Sequence, residues 1–394
     1  MEAWDVIVVG GGVVGLSAAW RLLEAGVQDV LVVDRSYVGG GTTARGAGSV
    51  TVQRWNDTDV GLVRQSRELM RRLERETAGT FRWHPVGRLT LAAEAHRDQL
   101  FAYGRRVEAT GEPIDFLLPA DIERRFPEIA PDGVGAGLFT PQDGYVYPPS
   151  LQHALAGLVR KRGGTIWEGV TATGIVAGQE QANAVSLEPP APAVRAKQAV
   201  LVCAGGGTND VLASVGADVA LAPASIRVAI ALLGSISGTL PGILDTTQDI
   251  YTVSRNAGTL LVGGEFEPLA RDAEPPADGA GLIEVGETVR ARLDRRLPGL
   301  GPTVGGWEGV IDQTPDGDPY IGPARGVSRL WVACGLGGYG IMRGPGVGAT
   351  VADLALERRP EVDVGIYPAD RYSGSTSFDA ALHELNPFAG PAPV

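Results

Sequence analysis

Asp5-Val-Ile-Val-Val-Gly-Gly-Gly-Val-Val-Gly-Leu16 is the stretch that decides the fold. The apolar run from Asp5 to Gly10 has the character of a parallel strand buried on both faces. Gly10, Gly12 and Gly15 follow it as Gly-x-Gly-x-x-Gly. Leu16 to Ala25 reads as a helix with Ala18, Ala19, Leu22 and Leu23 towards the sheet and Gly26 as its stop. Val30 to Val33 reads as a second buried strand, and Asp34 closes it at the spacing of about 20 residues past the last glycine that suits a ribose-binding acid. Gly10 permits the tight turn, Gly12 lets backbone approach a pyrophosphate, and Gly15 allows close helix–strand packing. The helix start then offers the N–H groups near Val13 and Val14 to phosphate oxygens. The unit therefore predicts a dinucleotide site, and the acid favours a free ribose hydroxyl over a 2′-phosphate.

Working outward, the 394-residue chain is long enough for two domains. Its net charge of −12 argues against nucleic acid or an anionic membrane surface as partner. Cys203 and Cys334 sit in separate apolar runs and His84, His96, His153 and His383 are scattered, so neither a disulfide framework nor a metal site is predicted. No apolar run reaches membrane-spanning length and the first strand starts at once, so a cytoplasmic protein is expected.

Gly39-Gly-Gly-Thr-Thr-Ala-Arg45-Gly-Ala-Gly48-Ser49 takes the place where a nicotinamide domain returns quickly to a third strand. A flexible segment of this kind can lie along an extended cofactor, with Thr42, Thr43 and Ser49 hydroxyls available, which favours FAD over NAD. Near the C-terminus, the strand Leu330–Cys334 runs into Gly335-Leu-Gly-Gly-Tyr-Gly340, and a helix is expected from Pro345 to Glu357. Glycines between strand and helix bring N–H groups and a positive dipole end to one point.

These blocks, with Gly144-Tyr-Val-Tyr-Pro-Pro149, Thr314-Pro-Asp-Gly-Asp-Pro-Tyr-Ile-Gly-Pro323 and Trp331 to Arg343, resemble the D-amino-acid-oxidase-like FAD-dependent oxidoreductases. The resemblance is to the branch of sarcosine oxidase, dimethylglycine and proline dehydrogenases and glycine oxidase, and it runs from about residue 3 to Arg371. It implies an α/β fold: a Rossmann-type FAD-binding domain (1–85, 143–215 and 305–394) interleaved with an α+β substrate domain (86–142 and 216–304) carrying an antiparallel sheet. Helices are expected at 59–77, 96–110, 119–125, 149–162 and 278–297, and strands at 86–92, 165–176, 199–203, 226–233, 249–255 and 259–264. Residues 188–192 read as a surface loop, and the tail from Phe388 as poorly ordered.

The implied cofactor set is Gly10, Gly12, Val13, Val14, Gly15, Asp34, Arg35, Gly41, Thr42, Thr43, Gly48, Ser49, Val170, Ala204, Gly205, Gly335, Gly338, Tyr339, Gly340 and Ile341. The implied substrate-side set is Tyr251, Arg54, Tyr339, Asp312 and Arg343. Three departures from the branch stand out. The carboxylate-binding arginine of glycine oxidases and the lysine of sarcosine oxidases are replaced by Ile311-Asp312 and Met342, so Asp312 is free to meet a cation and a carboxylate would need Arg54 or Arg255. The oxygen-activating lysine falls near Leu261, which leans the reading towards a dehydrogenase. The residues that carry covalent flavin in relatives correspond to Arg45 and about Gly309, so FAD is expected to be held non-covalently. The resemblance implies oxidation of the C–N bond of a small amine or amino acid by hydride transfer to flavin. Oxidation of a 2-hydroxy acid, a flavin subunit needing a partner chain, and homo-oligomer formation stay open as alternatives.

Overall fold

The computed structural model describes residues 2–178, 181–188, 193–234, 236, 239–255, 258–263, 266–268 and 280–372. Residues 189–192 of the expected surface loop and the tail from Phe388 lie outside them. Among the described residues, eight strands form one sheet, whose main path runs Tyr320–Pro323, Leu330–Cys334, Val194–Val202, Ala3–Val9, Val30–Asp34 and Thr165–Glu168. Val6 to Val9 pair in parallel with Val30 to Val33 on one side and with Ala199 to Val202 on the other. Alternation then sorts the side chains. Val6, Val8, Val30, Val32 and Leu201 join a core with the helices, while Ile7, Val9, Leu31, Val33, Val200 and Val202 pack on the opposite face. Burial on both faces is why these strands read as unbroken apolar runs.

The second sheet has nine strands, in the order Phe266–Pro268, Ala222–Leu232, Thr259–Gly263, Ile250–Arg255, Gly242–Asp245, Arg88–Ala92, Ala136–Thr140 and Asp115–Leu117, with Thr303–Gln313 also paired to Ala222–Leu232. Its pairs are antiparallel apart from Gly242–Asp245 against Arg88–Ala92. Thr303–Gln313 shifts the expected division. The resemblance implies that 305–394 belongs to the nucleotide domain, yet Thr303 to Gln313 forms a long antiparallel ladder with the second sheet. Gly305, Gly306 and Gly309 give this segment the look of a loop, and the continuous backbone ladder overrides that local signal.

The last helix also differs from expectation. It spans Gly340–Ala355 and encloses Pro345, where the proline suggested a later start. Its glycines face two neighbours. A Cβ on Gly344 would come 2.6 Å from Val13 Cγ1, and one on Gly348 would come 2.4 Å from the Val14 carbonyl oxygen and 2.8 Å from the Ala18 nitrogen. On another side, a Cβ on Gly346 would come 2.5 Å from the Leu62 carbonyl oxygen, and the Gly346 N–H donates to Ser66 Oγ at 2.8 Å. Helix 340–355 is thus seated against Val13–Glu24 and Asp57–Glu76 at backbone contact. Packing of this closeness, with a buried apolar environment on nearly every position to Asp353, outweighs the local cost of glycine and proline.

Gly348→Ala is expected to lower stability by about 1–3 kcal/mol, since the new methyl meets main-chain atoms that cannot rotate away. Gly157→Ala is the matched control, because Gly157 is exposed on helix Pro148–Lys161 with nothing near its missing Cβ. That change should stabilise by up to about 1 kcal/mol through helix propensity. Thermal melts of the two variants check the contrast.

Candidate active site

A cavity of about 1210 Å³ runs along the ends of the first sheet and onto the face of the second. It exceeds the roughly 300–1,000 Å³ usual for a small-ligand pocket, as a site for an extended cofactor together with a substrate must. At one end, Gly10 has φ +109°, and a Cβ there would sit 2.3 Å from the Cys203 carbonyl oxygen. A Cβ on Gly15 would sit 2.0 Å from the Gly10 carbonyl oxygen, so strand, turn and helix can meet only without side chains. Gly10, Gly12, Val13 and Val14 line the cavity, while Gly15 works behind it in packing. The N-cap of helix Val13–Glu24 is Gly12, which has no side chain to bond it; the Val13 N–H reaches Thr43 Oγ1 at 3.3 Å, and the N–H groups behind it stay open to an anion.

Asp34 lines the cavity and is held in place: Oδ2 accepts from the Gly11 N–H at 2.7 Å and Oδ1 from the Ser36 N–H at 2.8 Å. Each oxygen keeps acceptor capacity for a ribose hydroxyl. Arg35, Ala204 and Gly205 also line this end. Val170 does not, because its N–H donates to the Asp34 carbonyl at 2.9 Å; Thr171 and Ala172 provide the wall instead.

Gly41, Thr42, Thr43, Gly48 and Ser49 all line the cavity. The loop is more fixed than its composition suggests. Thr42–Arg45 forms a 3₁₀ turn, Thr42 Oγ1 donates to the Val310 carbonyl at 2.7 Å, and Trp307 Nε1 donates to the Arg45 carbonyl at 2.6 Å. These two bonds tie the loop to strand Thr303–Gln313 and so to the second sheet. At the C-terminal turn, Gly338, Tyr339, Gly340 and Ile341 line the cavity, and no side chain caps helix Gly340–Ala355. Gly335 stands behind this wall at φ +72°, donating its N–H to Asp312 Oδ2 at 2.8 Å.

The substrate-side set divides. Tyr251 lines the cavity, is buried, and its hydroxyl has no hydrogen-bond partner. Burial pushes that phenol up to about 12. A Cβ on Gly263 would lie 2.5 Å from the Tyr251 hydroxyl oxygen, so the missing side chain opens the slot that holds the ring. Arg54 lines the cavity with its guanidinium 3.5 Å from the ring centroids of both Trp55 and Tyr339, and pairs with Asp59 at 3.0 Å. Asp312 lines the cavity, and burial pushes its carboxyl up to about 6 despite the Gly335 N–H.

Arg343 is a correction. It is fully enclosed and off the cavity, donating to both Asp59 oxygens at 3.0 and 3.1 Å and to the Leu336 carbonyl at 2.8 Å. Arg255 is likewise spent elsewhere, on the Val146 carbonyl at 2.9 Å and the Ala47 carbonyl at 2.5 Å. The residue that sequence reasoning missed is Arg88, which is buried and lines the cavity. A lone arginine in Arg-Leu-Thr-Leu-Ala reads as the solvent face of a strand. The signal that could have found it is Gly242, its register partner, whose missing Cβ would lie 3.4 Å from Arg88 Nη1.

FAD fits these residues. Two helix starts whose N-cap residues make no side-chain bond, an oriented acid and turns that tolerate no Cβ form a cradle for a long, anionic dinucleotide, and the aromatic and cationic wall lies beyond them. Among the described residues no histidine or lysine lines the cavity and no cluster could hold a metal ion, and no helix is long and apolar enough to cross a membrane.

Comparison with known proteins bears on the same region. The family described as FAD dependent oxidoreductase matches residues 5–354. Human mitochondrial dimethylglycine dehydrogenase is 28% identical, over 95% of this chain and 45% of its own length. Glycine oxidase of Geobacillus kaustophilus is 25% identical over 95% of this chain and 99% of its own. The crystal structure of L-proline dehydrogenase from P. horikoshii superposes with a TM-score of 0.84, covering 94% of this chain and 98% of that one at 22% identity. The chain thus spans less than half the length of the dimethylglycine dehydrogenase it matches and nearly all of the glycine oxidase.

Asp312 generates a pH prediction. Protonated up to about pH 6 in the folded chain but only to about 4 when unfolded, it favours the fold below about pH 4 and loses that contribution as pH rises through 6. Asp312→Asn keeps an oxygen to accept from Gly335 and removes the charge. Melting temperatures measured from pH 4.5 to 7.5 should show the variant gaining on the wild type as pH rises; parallel curves would contradict it.

Proposed function

The chain belongs to the FAD dependent oxidoreductase family, and from that premise we propose that it oxidises the carbon–nitrogen bond of a small amine or amino acid to an imine. The observation that carries this reading is the continuity of one cavity from the Gly10–Asp34 nucleotide cradle to a wall bearing buried Arg54, Arg88 and Tyr251 and half-buried Tyr339. Bound FAD supplies the two-electron acceptor that takes the hydride from the carbon beside the nitrogen. The residues do the rest by binding and exclusion. Gly10 to Val14 receive the pyrophosphate at the helix start, Asp34 the ribose, and the uncapped start of helix 340–355 offers its dipole to the electron-rich end of the cofactor. Tyr251 and the Arg54–Trp55–Tyr339 stack orient a small substrate on the second sheet. The named activities of similar proteins point the same way, towards dimethylglycine and glycine.

The flavin is proposed to be non-covalent, since Arg45 and Gly309 stand in the loop and strand nearest one another and offer no thiol or imidazole. A dehydrogenase is favoured over an oxidase, because among the described residues no lysine lines the cavity to speed electron transfer to oxygen. An acceptor other than oxygen, such as a partner flavoprotein or quinone, would then reoxidise it. Two free buried thiols, Cys203 and Cys334, suit a reducing compartment, and we place the protein in the cytoplasm.

The purified protein should carry a flavin spectrum, and acid precipitation should leave all the flavin in the supernatant. Anaerobic titration with N-methyl amino acids, L- and D-amino acids, amines and 2-hydroxy acids should bleach the flavin with a nitrogen compound and not with a hydroxy acid. Admission of air should restore the colour over minutes. Bleaching by hydroxy acids alone would overturn the C–N reading, and rapid recovery with hydrogen peroxide would overturn the dehydrogenase.

A further inference from the structure

Arg88 is a buried cation that the protein itself does not neutralise. Among the described residues its side chain makes one hydrogen bond, Nη1 to the Thr252 carbonyl at 3.3 Å, and no ion pair. Asp143 is the carboxylate whose charge reaches it, but that group is occupied: it accepts from Thr51 Oγ1 at 2.6 Å, from the Val52 N–H at 3.1 Å, and from Thr140 Oγ1 and Arg67. Desolvation accordingly pushes the Arg88 guanidinium down to about 10. Every other enclosed arginine near the site is matched: Arg54 and Arg343 by Asp59, and Arg67 by Glu112. An isolated buried charge is costly, and such a group is retained where a ligand completes it.

The sheet also aims Arg88 at one place. Arg88 and Thr90 sit two apart on one strand, hence on one face, and the register carries that face across Gly242 and Leu244 to Tyr251. Arg88, Thr90, Leu244 and Tyr251 all line the cavity. Glycine at 242 leaves the space that Arg88 needs, glycine at 263 the space for Tyr251, and the Tyr251 hydroxyl is buried without a partner. Two unmatched donors, a fork of N–H groups and a phenol, therefore share one apolar-rimmed wall, with Leu244 beside them. A planar anion satisfies both.

We propose that Arg88, assisted by the Tyr251 hydroxyl, anchors the carboxylate of the substrate, so that the substrate is an amino acid or N-alkyl amino acid and not a simple amine. The assignment rests on the reading that this cavity takes a nitrogen compound, and it deepens that reading by naming the second group the compound must carry. It places the anchor on strand Arg88–Ala92, away from positions 311 and 342, where Ile311 and Met342 offer no charge. Net charge here misleads: the protein as a whole is acidic at −12, while this face of the second sheet turns Arg88, with no ion pair among the described residues, to the cavity.

The test uses the FAD-loaded protein, with propanoate as an unreactive probe followed by the flavin absorption spectrum and by calorimetry. Arg88→Met should weaken propanoate binding roughly 30-fold or more, Arg88→Lys by less, and Tyr251→Phe by several-fold. Arg88→Met should melt at or above the wild type without carboxylate, and propanoate should raise the melting temperature of the wild type alone. N-methylglycine, N,N-dimethylglycine and L-proline are compared with dimethylamine, trimethylamine and pyrrolidine, the same compounds without the carboxylate. The carboxylated member of a pair should reduce the flavin, and Arg88→Met should raise KM for it with kcat largely kept. Wild type that takes no propanoate, equal propanoate affinity in wild type and Arg88→Met, or equal reduction by both members of each pair would overturn the anchor. If Arg88→Met fails to hold FAD, unchanged propanoate binding in both Arg88→Lys and Tyr251→Phe would overturn it. Failure of every nitrogen compound to bleach the flavin, with propanoate binding still dependent on Arg88, would remove the C–N reading and leave the anchor standing.

Discussion

Backbone contact between helices Val13–Glu24 and Gly340–Ala355 is the constraint on which the site depends. These helices come from opposite ends of the chain, and each begins at a glycine-rich turn on the cavity wall. Because Gly344 and Gly348 carry no side chain, Val13, Val14 and Ala18 can lie directly against the second helix. The two helix starts are thereby fixed relative to one another, and with them the two positive dipole ends that a long anionic cofactor would span. A spacing set by main chain against main chain has little freedom to relax, in contrast to one set by flexible side chains.

A buried charge cluster locks the third helix to the same frame. Asp59, in the first turn of helix Asp57–Glu76, is fully enclosed. Burial by itself would push its carboxyl up, but Arg343 and Arg54 hold it below the ordinary aspartate range. Tyr367 adds a hydrogen bond to Asp59 at 3.1 Å, which brings the segment after the last helix into the cluster. One carboxylate thus joins the cavity wall through Arg54, the last helix through Arg343 and the C-terminal segment through Tyr367. Removing Asp59 would leave Arg54 and Arg343 enclosed without the carboxylate they share, typically a loss of about 3–5 kcal/mol. This explains why Arg343, though only four residues past the cavity-lining Tyr339, serves the frame and not the substrate.

Much of this was legible because it follows from local chemistry. The first strand, the three glycines, the helix and Asp34 are each specified by residue type and spacing, and the structure brings them together as expected. So too are the loop at 39–49 and the turn at 335–340. What was not legible depended on partners distant in sequence. Thr303–Gln313 gives no strand signal of its own and is joined to the second sheet only by its ladder with Ala222–Leu232, and the last helix begins before its proline because two other helices press on its glycines. Arg343 is misplaced and Arg88 overlooked by the sequence for one shared reason. An arginine's role is set by whether a carboxylate meets it, and neither Asp59, 284 residues from Arg343, nor the lack of an ion pair at Arg88 leaves a trace in the local pattern.

The two sheets divide the work by their physics. In the first, both faces are covered, the five strands from Leu330–Cys334 to Thr165–Glu168 are parallel, and glycine turns at their ends present main-chain N–H groups, which suit a phosphate-bearing cofactor of fixed shape. In the second, the cavity-facing residues alternate along antiparallel strands, so single positions such as Arg88, Leu244 and Tyr251 can change without disturbing the ladder that carries them. The joint between them is narrow: Thr42 bonded to Val310, Trp307 to Arg45, and Asp312 to Gly335 all cross from strand Thr303–Gln313 to the nucleotide side. That strand holds the cavity face of the second sheet at a set distance from the Gly10–Asp34 turn. Cavity-facing positions on the second sheet can therefore vary while the placing of that sheet against the nucleotide side is kept by these three hydrogen bonds.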